Sequence, residues 1–320
     1  MKIKTIKNIT NKLRKHTKYE PPQPKNKDLP PTFNILLSCS PKGGGKTYNV
    51  VQLLTNYENS GFISQEGNDV RMRTIWVSGG TANSKQNSIL DTLTSLDKED
   101  RIDMEDDVDE QMRILYEDLK QERDDIEAYN IYRRVYDKYM KSRTLTNLTL
   151  EELTLLKFKD FIDPNKDPEC PRDLDGNILY HPRMVFLVLD DMIGSDGYGN
   201  NRKNFLNRLA IKSRHESDEL VGLNLIFIAQ SFKAIPAVIR KQTDIFVLLK
   251  SASRSYIIDA IAEETGSHFH RDEIGEYYDE IMKIPYGSLI LSIHKKEQDT
   301  HRVRLGWNNI IERNPKYLTN

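Results

Sequence analysis

The run Ser40-Pro41-Lys42-Gly43-Gly44-Gly45-Lys46-Thr47 bears the signature of a loop that wraps phosphate, and Tyr48 follows it. It matches the pattern G-x-x-x-x-G-K-[ST] at Gly45, Lys46 and Thr47, with Ser40 in the first glycine position. Successive glycines let backbone N–H groups curl round phosphate oxygens without a clashing Cβ. The positive end of a following helix adds to the attraction. In such a loop Lys46 bridges the β- and γ-phosphates and the Thr47 hydroxyl ligates Mg²⁺. Residues 40–48 are therefore the candidate ATP-binding loop. The plainer alternative is a glycine-rich turn before a lysine-capped helix.

Two further positions complete the chemistry. The apolar run of residues 184–189 ends in Asp190-Asp191. A carboxylate at the end of a buried strand emerges at the sheet edge where ligands bind, so Asp190 is the candidate Mg²⁺-shell residue. Asp191 is placed to act as general base on the attacking water. For this to work the strand is expected to lie beside the strand that feeds the loop. Residues 223–229 form another apolar run, ending in Gln230-Ser231, and Gln230 is a candidate sensor of the γ-phosphate or the lytic water. Otherwise these are a turn or helix cap and a strand-end glutamine facing solvent. No Asn-Lys-x-Asp guanine reader occurs, since Asn26-Lys27-Asp28 lacks the spacing and precedes the core.

These residues need a frame. Phe33-Asn34-Ile35-Leu36-Leu37-Ser38-Cys39 reads as a buried strand and residues 47–57 as a helix. Strands follow at 73–77, 184–189, 223–229 and 244–249, and residues 287–294 and 301–307 read as a late antiparallel pair. Near-continuous apolar strands alternating with helices predict an α/β fold with a mostly parallel sheet covered on both faces.

The 320 residues fit one large α/β domain. Hydrophobic content is 38%, charged content 30%, and formal net charge −1, so the distribution of charge says more than its total. Cys39 and Cys170 are the only cysteines and are not spaced as metal ligands; Cys39 is expected to be a small buried hydrophobe. No apolar stretch approaches the roughly 20 residues that span a bilayer. The start lacks the apolar centre of a secretory signal, which points to an intracellular setting.

Residues 1–31 are basic and end in Pro21, Pro22, Pro24, Pro30 and Pro31. They read as a tail whose prolines form a stiff spacer, leaving 32–320 as the enzyme domain. Ile3, Ile6, Thr10 and Leu13 recur near helical spacing among lysines, so an amphipathic helix on an anionic membrane or nucleic acid is the alternative to a frayed tail. Residues 97–163 are strongly charged, with acids on most turns of 105–127, and Leu115, Leu119, Ile126, Tyr129, Tyr132 and Tyr136 at helical spacing. They are expected to form a helical insertion whose charge is a solvated face or a docking surface.

Taken together, the loop, Asp190-Asp191, Arg214-His215, Gln230-Ser231-Phe232-Lys233-Ala234-Ile235-Pro236, Val238-Ile239-Arg240 and the strand of 244–250 resemble the FtsK–HerA superfamily of DNA-pumping ATPases. Within it the chain is similar to the genome-packaging ATPases of poxviruses, other large DNA viruses and virophages. The resemblance covers about residues 33–311, excluding the tail and the insertion. It implies a RecA-like (ASCE) P-loop core using ATP and Mg²⁺. It further implies a homo-oligomeric ring, pentamer or hexamer, that threads double-stranded DNA into a preformed capsid. Capsid proteins would then be partners, the tail could contact an internal membrane, and the setting would be the virion or the host-cell virus factory. By position, Arg240 would stabilise transition-state charge, with Arg254 as second candidate, and Arg214 and His215 would serve an interface or the structure. The loop of 194–203 could line a pore, with Arg202 and Lys203 on phosphates, or be an ordinary surface loop. Two other functions stay open: a cellular-type DNA pump or helicase, and a nucleotide kinase, for which no arginine-rich lid stands out.

Overall fold

The computed structural model describes residues 21–65, 67–79, 88–104, 106–158, 181–199, 204–216, 223–251 and 253–317, with isolated positions at 172, 176, 178 and 179; at 155–158 and 213–216 it describes backbone only. In chain order the first half holds β1 (Gln23–Pro24), β2 (Ile35–Cys39), α1 (Lys46–Ser60), β3 (Phe62–Ile63), β4 (Asp69–Val70), β5 (Met72–Ser78), β6 (Arg101–Asp103), α2 (Val108–Ser142) and α3 (Leu150–Phe158). The second half holds β7 (Met184–Asp190), α4 (Phe205–Glu216), β8 (Leu223–Ala229), α5 (Ala237–Arg240), β9 (Ile245–Leu248), α6 (Arg254–Thr265), α7 (Arg271–Ile281), β10 (Leu289–Ser292), β11 (Val303–Leu305) and β12 (Asn309–Ile310).

Among the described residues the main sheet runs β12-β11-β10-β9-β2-β8-β7-β5-β6. The six strands from β9 to β6 are parallel, and β10 to β12 continue antiparallel, as the apolar runs predict. This is a mostly parallel α/β sheet with an antiparallel extension. One expectation is corrected: β7 does not lie beside β2. β8 stands between them, in register with β2 through Cys39 opposite Ala229 and with β7 through Asp190 opposite Ile228. The acids of β7 are thus one strand further from the glycine run than adjacency would place them.

Alternation along the strands makes two cores. Ile35, Leu37, Cys39, Leu187, Leu189, Phe227 and Phe246 face a layer built by α4, α6, α7 and the first half of α2. Leu36, Trp76, Phe186, Val188, Ile226 and Val247 face α1 through Val50, Leu53, Leu54 and Tyr57. Each fully buried aliphatic or aromatic side chain contributes on the order of 1.5–3 kcal/mol, so both layers are held strongly. Cys39 is buried within the first core, and burial pushes its thiol up to about 12. Cys170 lies outside the described residues.

The proline-rich stretch is not a free spacer. From Pro21 onward it is packed: β1 pairs antiparallel with β3, the Tyr57 hydroxyl donates to the Pro30 carbonyl at 2.8 Å, and Leu29 is buried in the α1 core. Residues 1–20 and the basic helix expected there lie outside the described residues. β2 begins two residues later than expected, because Phe33 adopts φ 66° and the N–H groups of Phe33 and Asn34 turn to Asn224 Oδ1.

The acidic insertion also departs from expectation. It opens with β6, which pairs parallel to β5 and extends the sheet. Val108, Met112, Tyr116 and Leu119 of α2 then pack in the main core. Glu122 marks the point of departure: it accepts from Arg73 and Arg183, while Arg73 also forks onto Asp100. Beyond it, Tyr132, Val135, Tyr136 and Leu148 make a small separate cluster.

The late hairpin grips the approach to β2. Arg304, 1% exposed, pairs with Glu297, 2% exposed, at 2.9 Å and donates to the Asp28 carbonyl, and His294 bonds the Phe33 carbonyl. Removing one member of such a pair strands the other charge, so Arg304→Ala is expected to lose about 3–5 kcal/mol in urea unfolding at neutral pH. Burial already raises the Glu297 carboxyl above its ordinary value, and Arg304 opposes that rise. Without Arg304 the folded chain holds the proton more tightly than the unfolded chain, so the deficit should shrink as pH falls through the carboxylate range.

Candidate nucleotide-binding site at the carboxyl edge of the sheet

β2 delivers the chain to the sheet's carboxyl edge with parallel neighbours on both sides, the position where α/β sheets bind ligands. The loop then reverses through Gly43 at φ 80° and Gly45 at φ 88°, the left-handed region that only glycine enters freely. Gly45 caps α1, so the unpaired N–H groups of its first turn face the loop interior, a ready anion site. Ser40 also has a role the signature does not anticipate. Its side chain fills the space over Gly44, where any added Cβ would collide with Ser40 Oγ and Cβ. Pro41, Lys42 and Gly43 form the exposed rim, and Lys46 and Thr47 are half-buried.

Lys46 Nζ donates to the carbonyls of Ser40, at 2.7 Å, and Pro41, at 3.1 Å, which holds the ammonium over the loop. Burial lowers its pKa, while Asp190, Cys39 and Asp191 act in the opposite direction. Both acids are therefore close enough to Lys46 to act on its charge. Asp190 is 6% exposed at the end of β7, and the N–H of Asp191 bonds the Ile228 carbonyl. Asp191 has φ 54°, in the left-handed region that aspartate enters more readily than most non-glycine residues. Gln230, one residue past β8, donates from Nε2 to Asp191 Oδ2 at 2.6 Å. The intervening strand thus brings Gln230 between the loop and the two acids.

Among the described residues no three His, Cys, Asp or Glu side chains cluster as a metal cage. Mg²⁺ takes one or two carboxylates plus substrate phosphates rather than an all-protein cage. Thr47 and Asp190 are the residues that fit it.

The arginines are arranged otherwise. Arg240 donates to Glu264 Oε1 at 3.1 Å and to the Ile235 carbonyl at 2.7 Å, and its guanidinium lies over Phe232. It is engaged in packing α5 against α6, as a structural residue would be, and among the described residues no hydrogen bond or ion pair joins it to the loop of its own chain. Arg254 pairs with Asp279 on the surface. Arg214 and His215 belong to the last turn of α4, with side chains outside the described residues; Arg202 and Lys203 lie outside them altogether.

Beside the loop opens a cavity of about 650 Å³ that the sequence did not reveal. Gly45, Tyr48, Asn49, Tyr286, Ser288 and Leu305 contribute to its walls, and its size suits a nucleoside. Tyr286 stands 89% exposed with φ 57°, between Pro285 and Gly287. The Pro-Tyr-Gly turn was the available signal, but nothing local ties it to a loop 240 residues earlier in the chain.

No family model and no curated protein sequence matches the chain. Solved structures with some likeness include the genome packaging NTPase B204 from Sulfolobus turreted icosahedral virus 2, at TM-score 0.41 and 12% identity over 87% of this chain and 98% of that one. They also include EssC (ATPases 2 and 3) from Geobacillus thermodenitrificans, at TM-score 0.38 and 11% identity over 82% of this chain and 38% of that one. The chain thus spans well under two thirds of that protein's length. The cytoplasmic domain of the Thermomonospora curvata Type VII secretion ATPase EccC matches at TM-score 0.39 and 11% identity, over 82% of this chain and 25% of that one. No residue's role is taken from them.

The packing of Ser40 on Gly44 gives a specific test. Gly44→Ala should weaken binding of ATP by about tenfold or more, and Ser40→Gly in the same chain should recover most of the loss, both read by calorimetric titration.

Proposed function

We propose that this chain is an ATP-hydrolysing P-loop enzyme whose work is to move double-stranded DNA into a preformed capsid. The observation that carries the enzymatic part is the convergence at one sheet edge of Lys46, Asp190, Asp191 and Gln230, delivered by three neighbouring parallel strands. The translocation part rests on the sequence resemblance that runs through Gln230-Ser231, Pro236, Ile239-Arg240 and the strand that follows.

On this reading each residue has a role. N–H groups of the glycine run and the start of α1 bind the phosphates, and Lys46 exchanges its carbonyl partners for β- and γ-phosphate oxygens. Thr47 and Asp190 would hold Mg²⁺, which would supply neutralisation of phosphate charge. Asp191 takes the proton from the attacking water, and the Gln230 amide fixes the orientation of its carboxylate. Loss of the γ-phosphate would reach Gln230 through that bond, giving a link from hydrolysis to the end of β8. The nucleoside lies in the cavity beside α1, with Tyr48 and Tyr286 at its mouth. Arg240 or Arg254 serves the site of an adjacent copy in a ring, if either acts in catalysis. Capsid protein and an internal membrane are further partners of the same reading. Among the described residues no helix is long and apolar enough to cross a membrane.

ATPase turnover should rise on adding long double-stranded DNA and drop to background in Lys46→Ala. Asp191→Asn should retain ATP binding while kcat falls by roughly 10²–10⁴-fold, the usual contribution of a general base. Turnover that responds to a small phosphate acceptor and ignores DNA would sink the motor reading in favour of a kinase.

A further inference from the structure

The 35 residues of α2 make a rod about 50 Å long. Its charge is sharply divided. Residues 108–127 carry eight carboxylates against three bases, and residues 128–143 carry five bases against one carboxylate. A helix dipole favours acids at the start and bases at the end, but its influence ends within one turn. It accounts for Asp109, Glu110 and Lys141 and leaves the remaining turns unexplained.

The division continues along one exposed face. Glu110, Glu117, Asp124, Ile131 and Lys138 recur every seven residues, a spacing that keeps them on one side, and all five are exposed. Arg134 and Lys141 flank the basic half of that stripe. The opposite side of the rod is occupied by its own cluster, where Tyr132, Val135 and Tyr136 meet Leu148; Lys138, in the stripe, stays partly exposed while it pairs with Glu152 at 2.8 Å. Among the described residues, Asp118, Asp124, Arg134, Lys141 and Arg143 make no ion pair. Ile131, 47% exposed, sits at the boundary between the two charge blocks, with the small Ala128 one turn before it.

We propose that this face of α2 is a contact between two copies of the chain, with the two helices antiparallel and crossing at Ile131. That crossing sets Ile131 against Ile131 of the second copy. It puts Asp124 opposite Lys138, and brings Glu117 and Gln121 to the Lys141 end, twice over by the two-fold symmetry. The contact is isologous, so the same patch is complementary to itself, and an apolar centre with charged flanks is how helix pairs set both orientation and partner. A parallel pairing would place like charges together along the whole rod. The rod leaves the sheet after Glu122, so the basic half is free to reach across to the acidic half of the other copy. This contact is independent of the nucleotide site and would join copies in pairs whatever assembles through that edge.

Charge reversal tests it on the full-length chain. The variants Glu117→Lys/Asp124→Lys and Lys138→Glu/Lys141→Glu each make the face nearly uniform in sign, and each should weaken self-association by tenfold or more in sedimentation equilibrium. Mixing the two variants should restore pairing, as should all four changes in one chain, and restoration should fade with added salt. The altered residues are exposed, and Lys46-dependent ATPase turnover of each single variant reports that it is folded. A parent chain that stays monomeric, reversed variants that associate like the parent, or a mixture that does not recover would overturn the proposal. So would undiminished association of Lys138→Glu/Lys141→Glu together with lost DNA affinity, which would give the basic half to phosphate.

Discussion

Three parallel strands, β2, β8 and β7, end within one residue of one another, and the candidate site depends on that register. Because Cys39 pairs with Ala229 and Asp190 with Ile228, Ser40 comes level with Gln230, and Asp191 comes level with Ala229, one residue behind them. Hydrogen bonds from Ser40 N to the Ala229 carbonyl and from Asp191 N to the Ile228 carbonyl carry both pairings one residue past the ladder. A slip of one residue in β8 would turn the strand over and exchange its core faces, which two buried layers forbid. The phosphate loop, the acids and the amide are thus fixed relative to each other by the same apolar contacts that hold the domain together.

Lys46 brings out the electrostatic side of this arrangement. Its ammonium is partly withdrawn from water, which by itself favours the neutral form, and the carboxylates nearby oppose that tendency. The Ser40 and Pro41 carbonyls that Lys46 donates to and the two acids together offset the charge of the half-buried ammonium. Ser40 shows how the loop tolerates its departure from the glycine pattern: the hydroxymethyl group lies where a side chain at the next-but-three position would otherwise go, and Gly44 yields that space.

Much of this was legible in the sequence, and the exceptions have physical causes. The strands of both halves and the turn that joins β2 to α1 are local patterns, and the structure has them. The place of β8 between β2 and β7 is not local, because a crossover helix of ordinary length serves either order. β6 offers one apolar residue among Arg101, Ile102 and Asp103, too little to read as a strand, since pairing with β5 rather than burial defines it. The acidic stretch hid its core-facing Val108, Met112 and Tyr116 beneath the surrounding carboxylates. Pro21, Pro22, Pro24 and Pro30 read as spacer because composition reports stiffness, and the docking of this stretch depends on β3, which pairs with Gln23–Pro24, and on Tyr57, which bonds the Pro30 carbonyl. Tyr286 and the cavity it borders arise from α1, β10 and β11 meeting in space, which no window of sequence contains.

The central claim is that Thr47 and Asp190 serve one metal shared with the phosphates that Lys46 holds. Titration of a non-hydrolysable ATP analogue, with and without Mg²⁺, into the parent chain and into Asp190→Asn tests it most directly. Mg²⁺ should tighten binding to the parent by about tenfold or more and leave Asp190→Asn almost unchanged. Equal tightening in both chains would contradict the account, because the metal would then be held without the acid that β7 delivers.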